Sequence, residues 1–216
     1  NNISVGSYFG LDGANTITTG AGNDTLTQTT GDDFDNNDVS LGLGDDAVTI
    51  LDYAENNTID LGDGSNNISV GSYFGLDGAN TITGGSGNDT LAINGDSFNY
   101  NIVNLGTGSD TITFDSATSY ANGSTFTFTD GSDDINLGGT SNTATLNLAG
   151  SNNTITQTGS SNTTDINLNG DAAINVSTAG AGNTLNLDGT GVSDAITLEG
   201  EAADWSINGS EYTHTA

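Results

Sequence analysis

The chain has 216 residues with 28 Asp plus Glu, one His and no Lys or Arg, a formal charge of −28 with no internal cation to offset it. That balance excludes nucleic acid and anionic membrane surfaces as partners, because both are held through Lys and Arg, and no apolar run approaches the roughly 18 residues of a membrane-inserting helix. Only 32% of residues are apolar, 32 are Gly and none is Cys. The core is thin and has no disulfides, so bound metal is expected to supply both neutralisation and cross-links.

From the start of the chain, residues 1–18 (NNISVGSYFGLDGANTIT) recur unchanged at 66–83, which makes a duplicated unit of 65 residues. Asn1 falls inside that unit and no signal peptide is visible, so the sequence is expected to be a segment of a longer array. Within the unit an Asx-x-apolar-x pattern places Ile17, Leu26, Val39, Val48, Ile59, Ile68, Ile82, Leu91, Val103 and Ile112 at alternating steps of 9 and 11 to 14 residues. Two short strands then make one coil of 20 to 23 residues, which is the arithmetic of a solenoid. Gly-rich turns fill the short step. The long step carries one aromatic per coil, Phe9, Phe34, Tyr53, Phe74 and Phe98, expected to pack in the core. β-Branched residues dominate between turns and no helical period exists, so the expected class is all-β, a right-handed parallel β-solenoid over residues 1–113.

Residues 114–134 break the register and read as an insertion or joint. Over 135–198 a looser ladder follows, Ile135, Ala144, Ile155, Ile166, Ile174, Leu185 and Ile196, with Asn replacing most of the Asp. The terminal segment 199–216 reads as a hairpin about Asn208-Gly209.

Chemistry concentrates in the turns. Two residues before each second-strand apolar position stand Asp24, Asp46, Asn66, Asp89 and Asp110; on the other strand the equivalent row is Asn15, Asn37, Asn57, Asn80 and Asn101. Coils stack about 4.8 Å apart, so one edge becomes a column of carboxylates and the other a column of amides. Carboxylates that close repel unless a cation lies between them, whereas amides hydrogen-bond along their own ladder. Metal is therefore expected on the Asp edge.

The segments Gly20-Ala21-Gly22-Asn23-Asp24-Thr25-Leu26, Gly42-Leu43-Gly44-Asp45-Asp46-Ala47-Val48, Gly85-Ser86-Gly87-Asn88-Asp89-Thr90-Leu91 and Gly106-Thr107-Gly108-Ser109-Asp110-Thr111-Ile112 resemble the GGxGxDxUx nonapeptide of RTX repeat proteins. The resemblance covers residues 10–113. It implies a β-roll-like solenoid whose Gly-rich turns bind calcium through backbone carbonyls and the Asp carboxylate. Matched by position, the implied ligands come from Gly20, Gly22 and Asp24, from Gly42, Gly44 and Asp46, from Gly85, Gly87 and Asp89, and from Gly106, Gly108 and Asp110. The family runs nonapeptides consecutively with metal on both edges, whereas only alternate turns match here and Asn66 interrupts the Asp column. Asp12 and Asp77 offer weaker sites.

His214 has no second His or Cys beside it, and Glu55, Glu199, Glu201 and Glu211 fall in no catalytic motif, so no enzymatic chemistry is expected. The expected function is a non-enzymatic, calcium-binding structural or adhesive module, secreted by a bacterium to the cell surface, as part of a surface layer, filament or large adhesin. It is expected to self-associate through solenoid ends or calcium-bridged flanks. The alternatives are a calcium-dependent secretion or folding module of a secreted enzyme and an ice-binding solenoid. Thr pairs such as Thr16/Thr18, Thr25/Thr27, Thr81/Thr83 and Thr111/Thr113 suggest the latter, but Ala47, Asn67, Ser69 and Ala92 interrupt that face.

Overall fold

The computed structural model describes residues 1–5, 11–29, 33–71, 75–95, 97–114, 121–139, 141–169, 173–178, 182–189, 195–199, 205–208 and 211–214. The chain winds as an all-β parallel solenoid with roughly 21 residues per coil. Successive partners across the stack lie 20 to 23 residues apart in sequence, the interval read from the Asx-x-apolar period.

One ten-stranded sheet, the first sheet, runs Asn2–Val5, Thr25–Gln28, Ala47–Ile50, Asn67–Val70, Thr90–Ile93, Thr111–Phe114, Asp134–Leu137, Asn153–Gln157, Ala173–Thr178 and Ala195–Glu199, each hydrogen-bonded to the next. The second sheet stacks Thr16–Ala21, Asp38–Leu43, Thr58–Asp60, Thr81–Thr83, Ile102–Thr107, Ser124–Asp130, Thr143–Leu148, Thr163–Leu168 and Asn183–Gly189. The strand Glu211–His214 pairs antiparallel with both Asn183–Gly189 and Trp205–Asn208. That is the terminal hairpin expected about Asn208-Gly209, and it covers the last coil of the second sheet. A short third side carries the pairs Leu11–Asp12 with Phe34–Asp35 and Leu76–Asp77 with Phe98–Asn99.

Alternation along each strand turns every second side chain inward. Leu26, Val48, Ile68, Leu91, Ile112, Ile135 and Ile155 form one buried file. They face Val39, Ile59, Ile82, Val103, Phe126, Leu146 and Ile166 on the second sheet. Burying such a side chain contributes about 1.5–3 kcal/mol, which is how a chain poor in apolar residues holds a continuous narrow core.

Three sequence expectations change here. The stretch 114–134 is no insertion where it is described: Ser124–Asp130 and Asp134–Leu137 take their places in the two sheets without interruption. The register irregularity there is a bulge opposite Asn104 to Thr107. Large rings fill the core beside it, with Phe98 stacked on Phe126 at 5.8 Å and Phe114 edge-on to both at 6.1 and 6.0 Å.

The aromatic row is also not a single core file. Phe34 and Phe98 are buried, but Ala54 takes that position in its own coil. Tyr53 lies half-buried and donates its hydroxyl to Glu55 Oε2 at 2.8 Å; Phe9 and Phe74 lie outside the described residues.

The ladder over 135–198 is shifted by two residues. Ile155 pairs with Val176 and Asn153 with Ile174, while Ala144 and Leu185 share a row with Thr164 and Ile166 lies beside Leu146 and Leu187. A period of two offers two inward positions per strand; the row through Ile155 and the row through Ile166 stay apolar, while the other inward position admits the buried Asn153 and Thr164.

Candidate metal column

The Gly-rich turns connect the second sheet to the first. Gly20, Gly22, Gly42, Gly44, Gly85, Gly87, Gly106 and Gly108 all have φ between +90° and +140°. They also stack closely: a Cβ on Gly106 or Gly108 would overlap the carbonyl oxygen of Gly85 or Gly87 in the coil before it. Only glycine meets both demands, and the result is a file of backbone carbonyls along the turn.

The acidic column ends each turn. Asp24, Asp46, Asp89 and Asp110 are buried and joined in one chain of bonds. The backbone N–H of Asp24 donates to Asp46 Oδ1 at 2.7 Å, that of Asp46 to Asn66 Oδ1 at 2.9 Å, that of Asn66 to Asp89 Oδ1 at 2.9 Å, and that of Asp89 to Asp110 Oδ1 at 2.9 Å. The chain continues from Asp110 N–H to Asp133 Oδ1 and from Asp133 N–H to Asn153 Oδ1, both at 2.9 Å. Asp133 therefore belongs to the column. The signal for it was present in Gly131-Ser132-Asp133-Asp134-Ile135, hidden because the surrounding stretch read as a joint.

One carboxylate oxygen at each station is thus satisfied, and the other is not. Oδ2 of Asp24, Asp46, Asp89, Asp110 and Asp133 is buried with no hydrogen-bond partner. The amide that breaks the column identifies its surroundings: Asn66 Nδ2 donates to the carbonyl oxygens of Gly62, Gly64 and Gly84 at 3.2, 3.3 and 3.3 Å. The positions that correspond to these three carbonyls one coil on, around Asp89, are Gly85, Gly87 and Leu105. A Cβ added to Gly84 would meet Asp89 Oδ2 and, at 2.6 Å, the Leu105 oxygen. A carboxylate oxygen facing only carbonyl oxygens is electrostatically unsatisfied unless a proton or a cation lies between them.

The acidities follow. Burial raises Asp46 and Asp89 above the usual carboxylate range, and pushes Asp110 up to about 7 and Asp133 up to about 6. Asp24 is the exception: its Oδ1 accepts from the Asn1 ammonium, which holds its acidity lower.

On the opposite edge the amides satisfy one another. Asn15, Asn37, Asn57 and Asn80 each donate Nδ2 to Oδ1 of the next Asn, at 2.9, 3.2, 3.0 and 2.9 Å. Nδ2 of Asn37, Asn57, Asn80 and Asn101 also caps the carbonyls of Leu11, Phe34, Ala54 and Leu76. Among the described residues, the buried side chains of Asn37, Asn57, Asn80 and Asn101 leave no polar atom without a partner.

Asp12 and Asp77 lie on the third side, Asp12 in register with Asp35 and Asp77 with Asn99, and neither has a buried unpartnered oxygen. On the outer face of the first sheet, Thr25, Ala47, Asn67, Thr90 and Thr111 share one row and Thr27, Thr49, Ser69, Ala92 and Thr113 another, so the Thr ladder is interrupted. Glu201 and the side chains of Glu199, Glu211 and His214 lie outside the described residues. Among the described residues no three His, Cys, Asp or Glu side chains converge on one point; each station offers one carboxylate and several carbonyls. No protein-family model, curated protein or solved structure matches the chain.

Proposed function

We propose that this chain is a calcium-stabilised, non-enzymatic extracellular repeat module that serves a structural or adhesive role at a bacterial surface. The observation that carries the reading is the file of buried Asp Oδ2 atoms, each without a hydrogen-bond partner, with the Leu105 carbonyl oxygen beside the one at Asp89. The donor set is oxygen only, flexible in number and built on one carboxylate per station, which suits calcium and not a transition metal. Asp24, Asp46, Asp89, Asp110 and Asp133 would hold the ions together with carbonyls of the paired glycines, and each ion would bridge neighbouring coils.

The charge of −28 with no Lys or Arg supports the same reading, since a stack that carries it needs counter-ions to stay compact. Affinities of such oxygen sites suit the millimolar calcium outside cells. An unbroken stack extends by repetition of its own unit, which favours reach or lattice formation over chemistry. Contacts between copies would run through calcium-bridged flanks or open coil edges, with the hairpin of Trp205–Asn208 and Glu211–His214 covering the second sheet at its end of the stack.

The test is circular dichroism of the chain in chelator and after calcium addition. Loss of β structure in chelator and its recovery with calcium is expected, because binding free energy becomes folding free energy. Equal β content in both conditions would refute the reading.

A further inference from the structure

Beyond Asp133 the column stations change chemistry while the stack continues. On the second sheet a new amide ladder begins two residues upstream of the old one. The backbone N–H groups of Ala121, Asn142 and Asn162 donate to Oδ1 of Asn142, Asn162 and Asn183 at 2.8, 2.8 and 2.9 Å. Their Nδ2 groups donate to the carbonyls of Gly138, Gly139 and Gly159 at 2.9, 3.3 and 2.8 Å.

On the first sheet Asn153 follows Asp133, donating Nδ2 to Ala149 O at 3.2 Å, and the next station is the buried Ile174. The buried atoms without partners in this region are neutral, Gln157 Oε1 and Thr178 Oγ1, whereas every buried unpartnered carboxylate oxygen among the described residues lies at or before Asp133. Residues 142–189 contain only three acids, Asp165, Asp171 and Asp188, and none of them stands at a column station.

Asn66 is the same device in isolation. It occupies an Asp station and satisfies three carbonyls through a neutral N–H donor. We propose that an amide at a column station does the cation's work, so that the solenoid is divided into cation-requiring coils up to Asp133 and a self-sufficient stretch over residues 142–189 that keeps its fold without metal. Such a division is physically open to a solenoid because each coil touches only its neighbours, so one stretch can remain stacked while another is not. The inference rests on the calcium reading above.

Hydrogen exchange of the full chain near neutral pH, read by mass spectrometry in chelator and in millimolar calcium, tests both. In chelator the amides of 143–148, 163–168 and 183–187 are expected to exchange at least about tenfold more slowly than those of 25–28, 90–93 and 111–114, with calcium restoring protection to the latter. If the two sets exchange equally fast in chelator and both gain protection with calcium, the division is overturned and the calcium reading stands. If both sets are protected in chelator, the calcium reading itself fails. The variant carrying Asp24→Asn, Asp46→Asn, Asp89→Asn, Asp110→Asn and Asp133→Asn should extend protection in chelator into the first coils. No gain there, with the later coils still protected, would overturn the substitution of amide for cation.

Discussion

Truncating Asn80 to Ala separates the two edges of the solenoid most cleanly. A single ladder hydrogen bond is worth about 1 kcal/mol, but this buried side chain makes four. Nδ2 donates to Ala54 O at 3.1 Å and Asn101 Oδ1 at 2.9 Å, while Oδ1 accepts from the backbone N–H of Asn57 at 2.9 Å and from Asn57 Nδ2 at 3.0 Å. Some partners keep a second bond: Ala54 O still accepts from the Asp77 N–H, and Asn57 Nδ2 still reaches Phe34 O. The Asn57 backbone N–H does not, and it is left buried without an acceptor. Three lost bonds at about 1 kcal/mol each and one orphaned donor at about 1–3 kcal/mol give an expected loss of about 4–6 kcal/mol. Asn80→Ser should cost about half as much, because Ser124 already fills this column by accepting from Asn101 N–H at 3.2 Å and donating to Phe98 O at 2.7 Å. Repeat arrays depart from two-state unfolding, so the measurement is local stability by hydrogen exchange over residues 57–60 and 80–83 in saturating calcium. Calorimetric titration should give unchanged calcium stoichiometry for Asn80→Ala and a loss of sites for Asp89→Ala. A cost below about 1 kcal/mol, or the same loss of sites in both variants, would refute the assignment of the edges.

The pH response of the metal-free chain follows from the raised acidities of Asp110 and Asp133, at about 7 and about 6. Their folded forms hold protons that the unfolded chain releases near the ordinary 3.8. The stability they contribute is therefore complete below about 4 and is lost as pH rises through 6 and 7, at up to about 1.4 kcal/mol per unit for each group. In chelator, β content should be highest near pH 4, where these carboxyls are protonated, and fall toward pH 8, and calcium, favouring the carboxylate, should remove that decline; a flat profile in chelator would count against buried, uncompensated carboxyls. Close turn stacking predicts that Gly106→Ala destabilises far more than Gly13→Ala. Both residues have positive φ, but only at Gly106 would the new Cβ overlap a neighbouring carbonyl. A gap of at least about 2 kcal/mol is expected in calcium, and equal costs would disprove the close approach.

The sequence alone determined the parallel solenoid, its coil length and the difference between its edges. In a stack of this kind the repeat interval is itself the neighbour relation: Asp24 and Asp46, or Asn57 and Asn80, lie side by side because the period places them one coil apart. The same logic failed where the period was diluted. Asp133 was hidden behind a stretch whose large Phe residues broke the pattern in sequence but filled the core in space. On the strand Ala173–Thr178 the two inward positions Ile174 and Val176 are equally apolar, so which of them lies beside Ile155 was decided by packing and by the amide ladder of Asn142, Asn162 and Asn183. Ala54 displaced Tyr53 from the core for a related reason: neighbouring residues on a strand point to opposite sides, and the phenol found a partner in Glu55 outside. What only the tertiary structure could show is the split between the two oxygens of each column carboxylate. At Asp46, Asp89, Asp110 and Asp133 Oδ1 accepts a backbone N–H of the coil before it, while Oδ2 stays buried without a hydrogen-bond partner. That asymmetry is created by stacking and exists in no single repeat.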